Sequence, residues 1–138
     1  MFKNDLFNAC VYGNLKLVKK LIKDGDNIHA NNDLSLKTAI TNGRFEIIEY
    51  LIDNGANVNA DNNYALRWAT AYGYFELVKS LVERGANIYY SDNCALKWAA
   101  AYNHLDVVVY LRSVSTKWKC KTCLVRMICL NICKDYKL

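Results

Sequence analysis

The chain has 138 residues, 53% of them apolar, with a formal net charge of +5, six cysteines and no proline. That length is ordinarily one domain, but the charge is uneven: Arg112 onward holds seven Lys or Arg against the single Asp135, a net +6, which leaves −1 for residues 1–111. A nearly neutral body excludes electrostatically driven nucleic-acid binding outside the tail. The tail's longest apolar run, residues 124–133, is interrupted by Arg126 and Asn131 and is too short for a membrane span of about 20 residues.

The chain is a repeat array. Leu6, Leu36, Leu66 and Leu96 are 30 residues apart, as are Ala9, Ala39, Ala69 and Ala99, and then Leu21, Leu51, Leu81 and Leu111. A period of this size marks a solenoid, whose units bury their apolar faces against neighbouring copies. Four units are expected, over about residues 4–33, 34–63, 64–93 and 94–112, together forming one array over residues 1–112.

In the first unit a helix carrying Leu6 and Ala9 leads to a turn at Gly13. A second helix then presents Leu15, Val18, Leu21 and Ile22 at spacings of three and four and stops at Gly25. The second unit repeats this with Gly43, the stripe Phe45, Ile48, Leu51 and Ile52, and Gly55. The third runs Ala65-Leu66-Arg67-Trp68-Ala69, Gly73, then Phe75, Val78, Leu81 and Val82 against solvated Glu76, Lys79 and Glu83, closing at Gly85. In the fourth, Asn103 replaces the turn glycine, which fits because Asn tolerates positive φ. Between units, Asn57-Val58-Asn59-Ala60-Asp61-Asn62-Asn63 favours local side-chain turns and reads as a loop or short hairpin.

Gly55-Ala56-Asn57-Val58-Asn59-Ala60 resembles the Gly-Ala-Asp-Val-Asn-Ala of ankyrin repeats, and Asn103-His104-Leu105-Asp106-Val107-Val108 resembles their Gly-His-x-Glu-Val-Val. The likeness covers roughly residues 4 to 112. It implies an all-α solenoid of about four stacked helix-turn-helix units with short projecting loops, a surface for binding other proteins, and no catalysis. Ankyrin units run about 33 residues, so 30-residue units imply stubby loops. The family's Thr-Pro-Leu-His is replaced by Leu34-Ser35-Leu36-Lys37, Tyr64-Ala65-Leu66-Arg67 and Cys94-Ala95-Leu96-Lys97. Shortened units reading Ala-Leu-Arg-Trp-Ala are similar to those of giant viruses of amoebae, which implies a viral protein with a host protein as its partner.

Carried over from ankyrin arrays, the partner-binding candidates on the first helices are Val11, Tyr12, Thr41, Asn42, Ala71, Tyr72, Ala101 and Tyr102. On the loops they are Asn32, Asp33, Asn62, Asn63, Asp92 and Asn93. Tyr12, Tyr72 and Tyr102 recur at one position, and two readings stand side by side: a shared binding stripe of rigid amphipathic rings, or stacking between units. Trp68 and Trp98 are expected to line the core. Lys37, Arg67 and Lys97 form a basic column with two readings, attraction of an acidic partner segment or a face kept solvated, and the solvated face is the one expected.

Residues 113–138 form a basic, Cys-rich tail. It is read as a short docked helix, with Leu124, Val125, Ile128 and Ile132 facing the last repeat, or as a disordered end. The abrupt change of composition after Leu111 also suggests a shifted reading frame. Cys120, Cys123, Cys129 and Cys133 supply the four thiols of a tetrahedral Zn²⁺ site, but their spacing lacks two close pairs on a long loop, so no metal and no other cofactor is expected. A second function would be weak polyanion binding to nucleic acid or an anionic membrane surface through Lys117, Lys119, Lys121, Arg126, Lys134 and Lys137, with Trp118 stacking on bases.

The start of the chain, Met1-Phe2-Lys3-Asn4-Asp5, has no apolar leader, so secretion is not expected. Cys10 and Cys94 at small apolar positions fit a reducing cytosol. Only His29 and His104 could serve as an imidazole base. No Gly-x-Ser-x-Gly, phosphate-binding glycine loop or His-Glu-x-x-His occurs. The expectation is a monomeric, non-enzymatic interaction module.

Overall fold

A computed structural model describes residues 5–115, with the side chains of Asp92 and Asn93 outside that description. The described residues form eight helices and no strand: α1 (Asp5–Tyr12), α2 (Leu15–Lys23), α3 (Ala30–Thr41), α4 (Phe45–Asp53), α5 (Ala60–Tyr72), α6 (Phe75–Glu83), α7 (Tyr90–Ala101) and α8 (Leu105–Val114). They pair as four hairpins, α1 with α2 through α7 with α8, and the hairpins stack side by side.

The first helices, α1, α3, α5 and α7, pack closely in one row, while the second helices touch their neighbours more sparsely. Alanine explains the difference. Ala9, Ala39, Ala69 and Ala99 are all essentially inaccessible, and small side chains at the contact let helix axes approach. A row packed tightly on one side and splayed on the other curves, and its hollow side is the first-helix row. Between the two rows runs a continuous apolar seam. Val18, Ile48, Val78 and Val108 are its centre, each fully buried and 30 residues from the next, and each contributes about 1.5–3 kcal/mol through area removed from water.

Phe45 departs from the expected stripe: it is 46% exposed. As the first residue of α4 it lies on the rim of the stack, where its ring meets Tyr74 edge-on at 5.2 Å. Ile47 and Leu77, outside the expected stripe, are buried in the seam.

The connection between units is a left-handed turn rather than a hairpin of strands. Asn31, Asn32 and Asp33 have φ of 52°, 58° and 55°, and Asp61, Asn62 and Asn63 have φ of 50°, 58° and 61°. Successive left-handed L-residues cost roughly 1–2 kcal/mol each, least for Asn and Asp. The third residue of each turn offsets part of that cost by bonding to the next unit. The Asn57 N–H donates to Asp33 Oδ1 at 3.0 Å, and Asn63 Nδ2 donates to the Asn87 carbonyl at 2.8 Å. The Asx residues of this segment therefore hold the stack together.

A candidate protein-binding face

The hollow side is built from positions one helical turn apart on the first helices. Tyr12, Tyr72 and Tyr102 all stand out there, at 79%, 56% and 54% exposure. The described ring contacts place none of them against another of the three. Instead each of the last two stacks along its own helix: Tyr72 on Trp68 with centroids 4.0 Å apart, and Tyr102 on Trp98 at 5.6 Å. A separation of four residues sets both rings on one helix face.

Of the two tryptophans expected to line the core, Trp68 is half-buried and packs against it. Trp98 departs from the expectation: it is 41% exposed, because its ring lies along the helix surface over a tyrosine. Together these rings, with Tyr64, Arg67 and Ala71, line a cleft of about 340 Å³ between α5 and α7. Tyr64 closes one end, with its hydroxyl 3.0 Å from Thr41 Oγ1.

Two members of the basic column, Lys37 and Arg67, are engaged with this aromatic surface. Lys37 pairs with Asp61 and lies 5.1 Å from the Tyr64 ring centroid, and the Arg67 guanidinium lies 6.0 Å from the same ring.

The other candidate positions divide by burial. Asn32 and Asn62 are exposed on the left-handed turns, and Asn42 is exposed with its Nδ2 donating to the Thr38 carbonyl at 2.8 Å. Asp33 and Asn63, expected among loop residues open to a partner, are buried at 5% and 1% exposure. The reason is the inter-unit bonding described above: their side chains point into the stack. The side chains of Asp92 and Asn93 lie outside the described residues. So do Cys120, Cys123, Cys129 and Cys133 and the whole of 116–138, including the expected tail helix.

Sequence reasoning missed two structural devices. Arg44 lies over Gly13 and donates from Nη2 to the Val11 carbonyl at 3.1 Å; His104, 60 residues later, lies over Gly73 and donates to the Ala71 carbonyl at 2.9 Å. On the outer row, Arg84 pairs with Glu49 at 2.7 Å and Asp53 at 2.9 Å, while the Ser80 hydroxyl donates to Glu49. The signal available for the first device was a long side chain 31 residues after a turn glycine, as Arg44 follows Gly13 and His104 follows Gly73; nothing in the sequence joins Arg84 to residues 31 and 35 positions earlier.

Among the described residues no group of three or more His, Cys, Asp or Glu is placed to hold a metal ion, and no helix is long and apolar enough to cross a membrane. His29 is exposed, and its Nδ1 lies 3.1 Å from Asp33 Oδ1. Burial pushes the Cys10 thiol up to about 12, the opposite of what an activated nucleophile needs.

A family model described as ankyrin repeats in three copies matches residues 6–92 and, overlapping, 58–122. The chain belongs to the ankyrin-repeat family. Ankyrin repeats are protein–protein interaction modules and typically non-enzymatic scaffolds. No curated protein matches the chain. The ankyrin stack and the aromatic face thus meet in one surface, formed by the first-helix row.

Proposed function

We propose that this chain is a non-catalytic scaffold that binds a protein partner on its first-helix face, with Tyr72 and Tyr102 as principal contacts and Tyr12, Asn42, Asn32 and Asn62 along the same side. The observation that carries the reading is the set of exposed rings on the hollow side, where a monomeric soluble protein would otherwise gain nothing from leaving large aromatic surface in water. Tyr and Trp supply wide contact area with few rotatable bonds to freeze. Asp33 and Asn63 act as framework for that face.

The finer reading, a viral protein engaging a host protein in a reducing cytoplasm, is supported by the 30-residue units and by Cys10 as a buried free thiol. The net +6 after Leu111 supports a second reading, polyanion contact through the tail. Affinity capture separates the two, using wild type, Tyr72→Ala, and a chain ending at residue 112. Protein partners that persist without the tail and vanish with Tyr72→Ala support the first. Loss of salt-sensitive polyanion binding on truncation, with the partners of Tyr72→Ala unchanged, supports the second.

A further inference from the structure

The α5–α7 cleft has a charge character as well as a shape. Its walls are the Trp68–Tyr72 and Trp98–Tyr102 stacks, and Arg67 is the charged residue in its lining, with no Asp or Glu among the described lining residues. Asp61 is already committed: Arg67 reaches its main-chain carbonyl, and its carboxylate pairs with Lys37. Next to the cleft, burial pushes the Cys94 thiol up and the positive charges of Arg67 and Lys97 work against it, so two cations act on one locality.

Arg67 is also poorly satisfied where it stands. Its Nε is buried with no hydrogen-bond partner, and its Nη2 meets the Asp61 carbonyl only at 3.4 Å. An unpartnered buried donor costs about 1–3 kcal/mol, so the guanidinium gives up little by swinging toward an acceptor. Aromatic walls alone would favour a cation over the ring faces, but Arg67 already brings one into the lining, 6.0 Å from the Tyr64 ring centroid. A second cation is repelled, and a carboxylate finds a planar fork suited to bidentate pairing.

We infer that this cleft, as part of the binding face proposed above and resting on that reading, receives an acidic protein segment in which an aromatic side chain adjoins an Asp or Glu. The ring lies between the Trp68–Tyr72 and Trp98–Tyr102 stacks, and the carboxylate pairs with Arg67.

The test is to pan a displayed random-peptide library on the full chain and, in parallel, on Arg67→Glu. Wild type is expected to enrich peptides with Asp or Glu beside Phe, Tyr or Trp, and Arg67→Glu to lose these and to favour Lys or Arg beside the ring. The strongest acidic–aromatic peptide should bind Arg67→Gln about tenfold more weakly, the loss of one charge-assisted bond. Circular dichroism of both variants confirms that helix content is kept; should Arg67→Glu lose it, the comparison rests on Arg67→Gln. The inference is overturned if wild type enriches nothing or selects basic peptides, if Arg67→Glu selects the same peptides as wild type, or if Arg67→Gln binds with unchanged affinity. If peptides of another chemistry are selected yet released by Tyr72→Ala, the face stands and its assigned occupant is wrong. If selected peptides ignore both Tyr72→Ala and Trp98→Ala, the binding face itself fails.

Discussion

His104 lies over Gly73 and hydrogen-bonds the Ala71 carbonyl at 2.9 Å, tying the fourth unit to the third across a position that carries no side chain. A Cβ at Gly73 would collide with the imidazole, and the backbone there has φ +70°.

Gly73→Ala should therefore destabilise the fold by about 2–3 kcal/mol, combining left-handed strain with the displaced imidazole. Gly43 has φ +63° but open space around its Cβ direction, so Gly43→Ala should cost only the strain, about 1–2 kcal/mol. Gly43→Asn should cost less again, since Asn103 already holds φ 61° at the equivalent turn. Urea denaturation midpoints of the three variants check the order.

Asp33 is buried and accepts from the Asn57 N–H and from His29 Nδ1. Asp33→Ala leaves a main-chain donor without its acceptor and should cost about 1–3 kcal/mol. Neighbouring Asn32 is exposed at φ 58°, and Asn32→Gly should stay within about 0.5 kcal/mol. Equal losses for the two would contradict the framework role of Asp33.

The folded-state pKa of Cys10 is raised by burial from its ordinary 9.0 to about 12. The sign is fixed: above pH 9 the unfolded thiol ionises while the folded one stays protonated. The contribution of this group is full below about pH 9 and is lost as pH rises toward 12, at up to about 1.4 kcal/mol per pH unit. Cys10→Ala should be less sensitive to alkali than wild type over that range. Iodoacetamide at neutral pH should modify Cys10 only after unfolding, as mass spectrometry of the digested protein would show.

Arg84, Glu49 and Asp53 form the outer-row ion pairs, and all three side chains are substantially solvated. Arg84→Ala should shift stability by no more than about 1 kcal/mol, and by less in high salt. A larger loss would mean that these pairs are a structural joint of the outer row.

The apolar period was legible at the centre of the seam because each unit repeats the same burial requirement: Ala39, Leu66 and Val78 are inaccessible where the 30-residue spacing places them, while Phe45 at the helix start is exposed and Ile47 and Leu77 take the buried places. The helix stops were legible for the same reason, with Gly55 at φ 99° where a left-handed residue was expected. The turns were not. Asn and Asp signal a loop, but whether a side chain faces water or the next unit depends on backbone handedness, which put Asp33 and Asn63 inside while Asn32 and Asn62 stayed out. Trp98 was misread because a large ring next to a buried alanine suits the core by composition, and only helix rotation shows it over Tyr102. The cleft was illegible because Tyr64, Trp68 and Trp98 come from two units whose separation no local pattern encodes.

The most direct measurement is affinity capture with three full-length baits: wild type, Tyr72→Ala combined with Trp98→Ala, and Arg84→Ala, each first shown to keep its helix content. A partner retained by wild type and Arg84→Ala but released by the double variant is the expected result. A partner that the double variant keeps and Arg84→Ala loses would place binding on the outer row and contradict the assignment of the first-helix face.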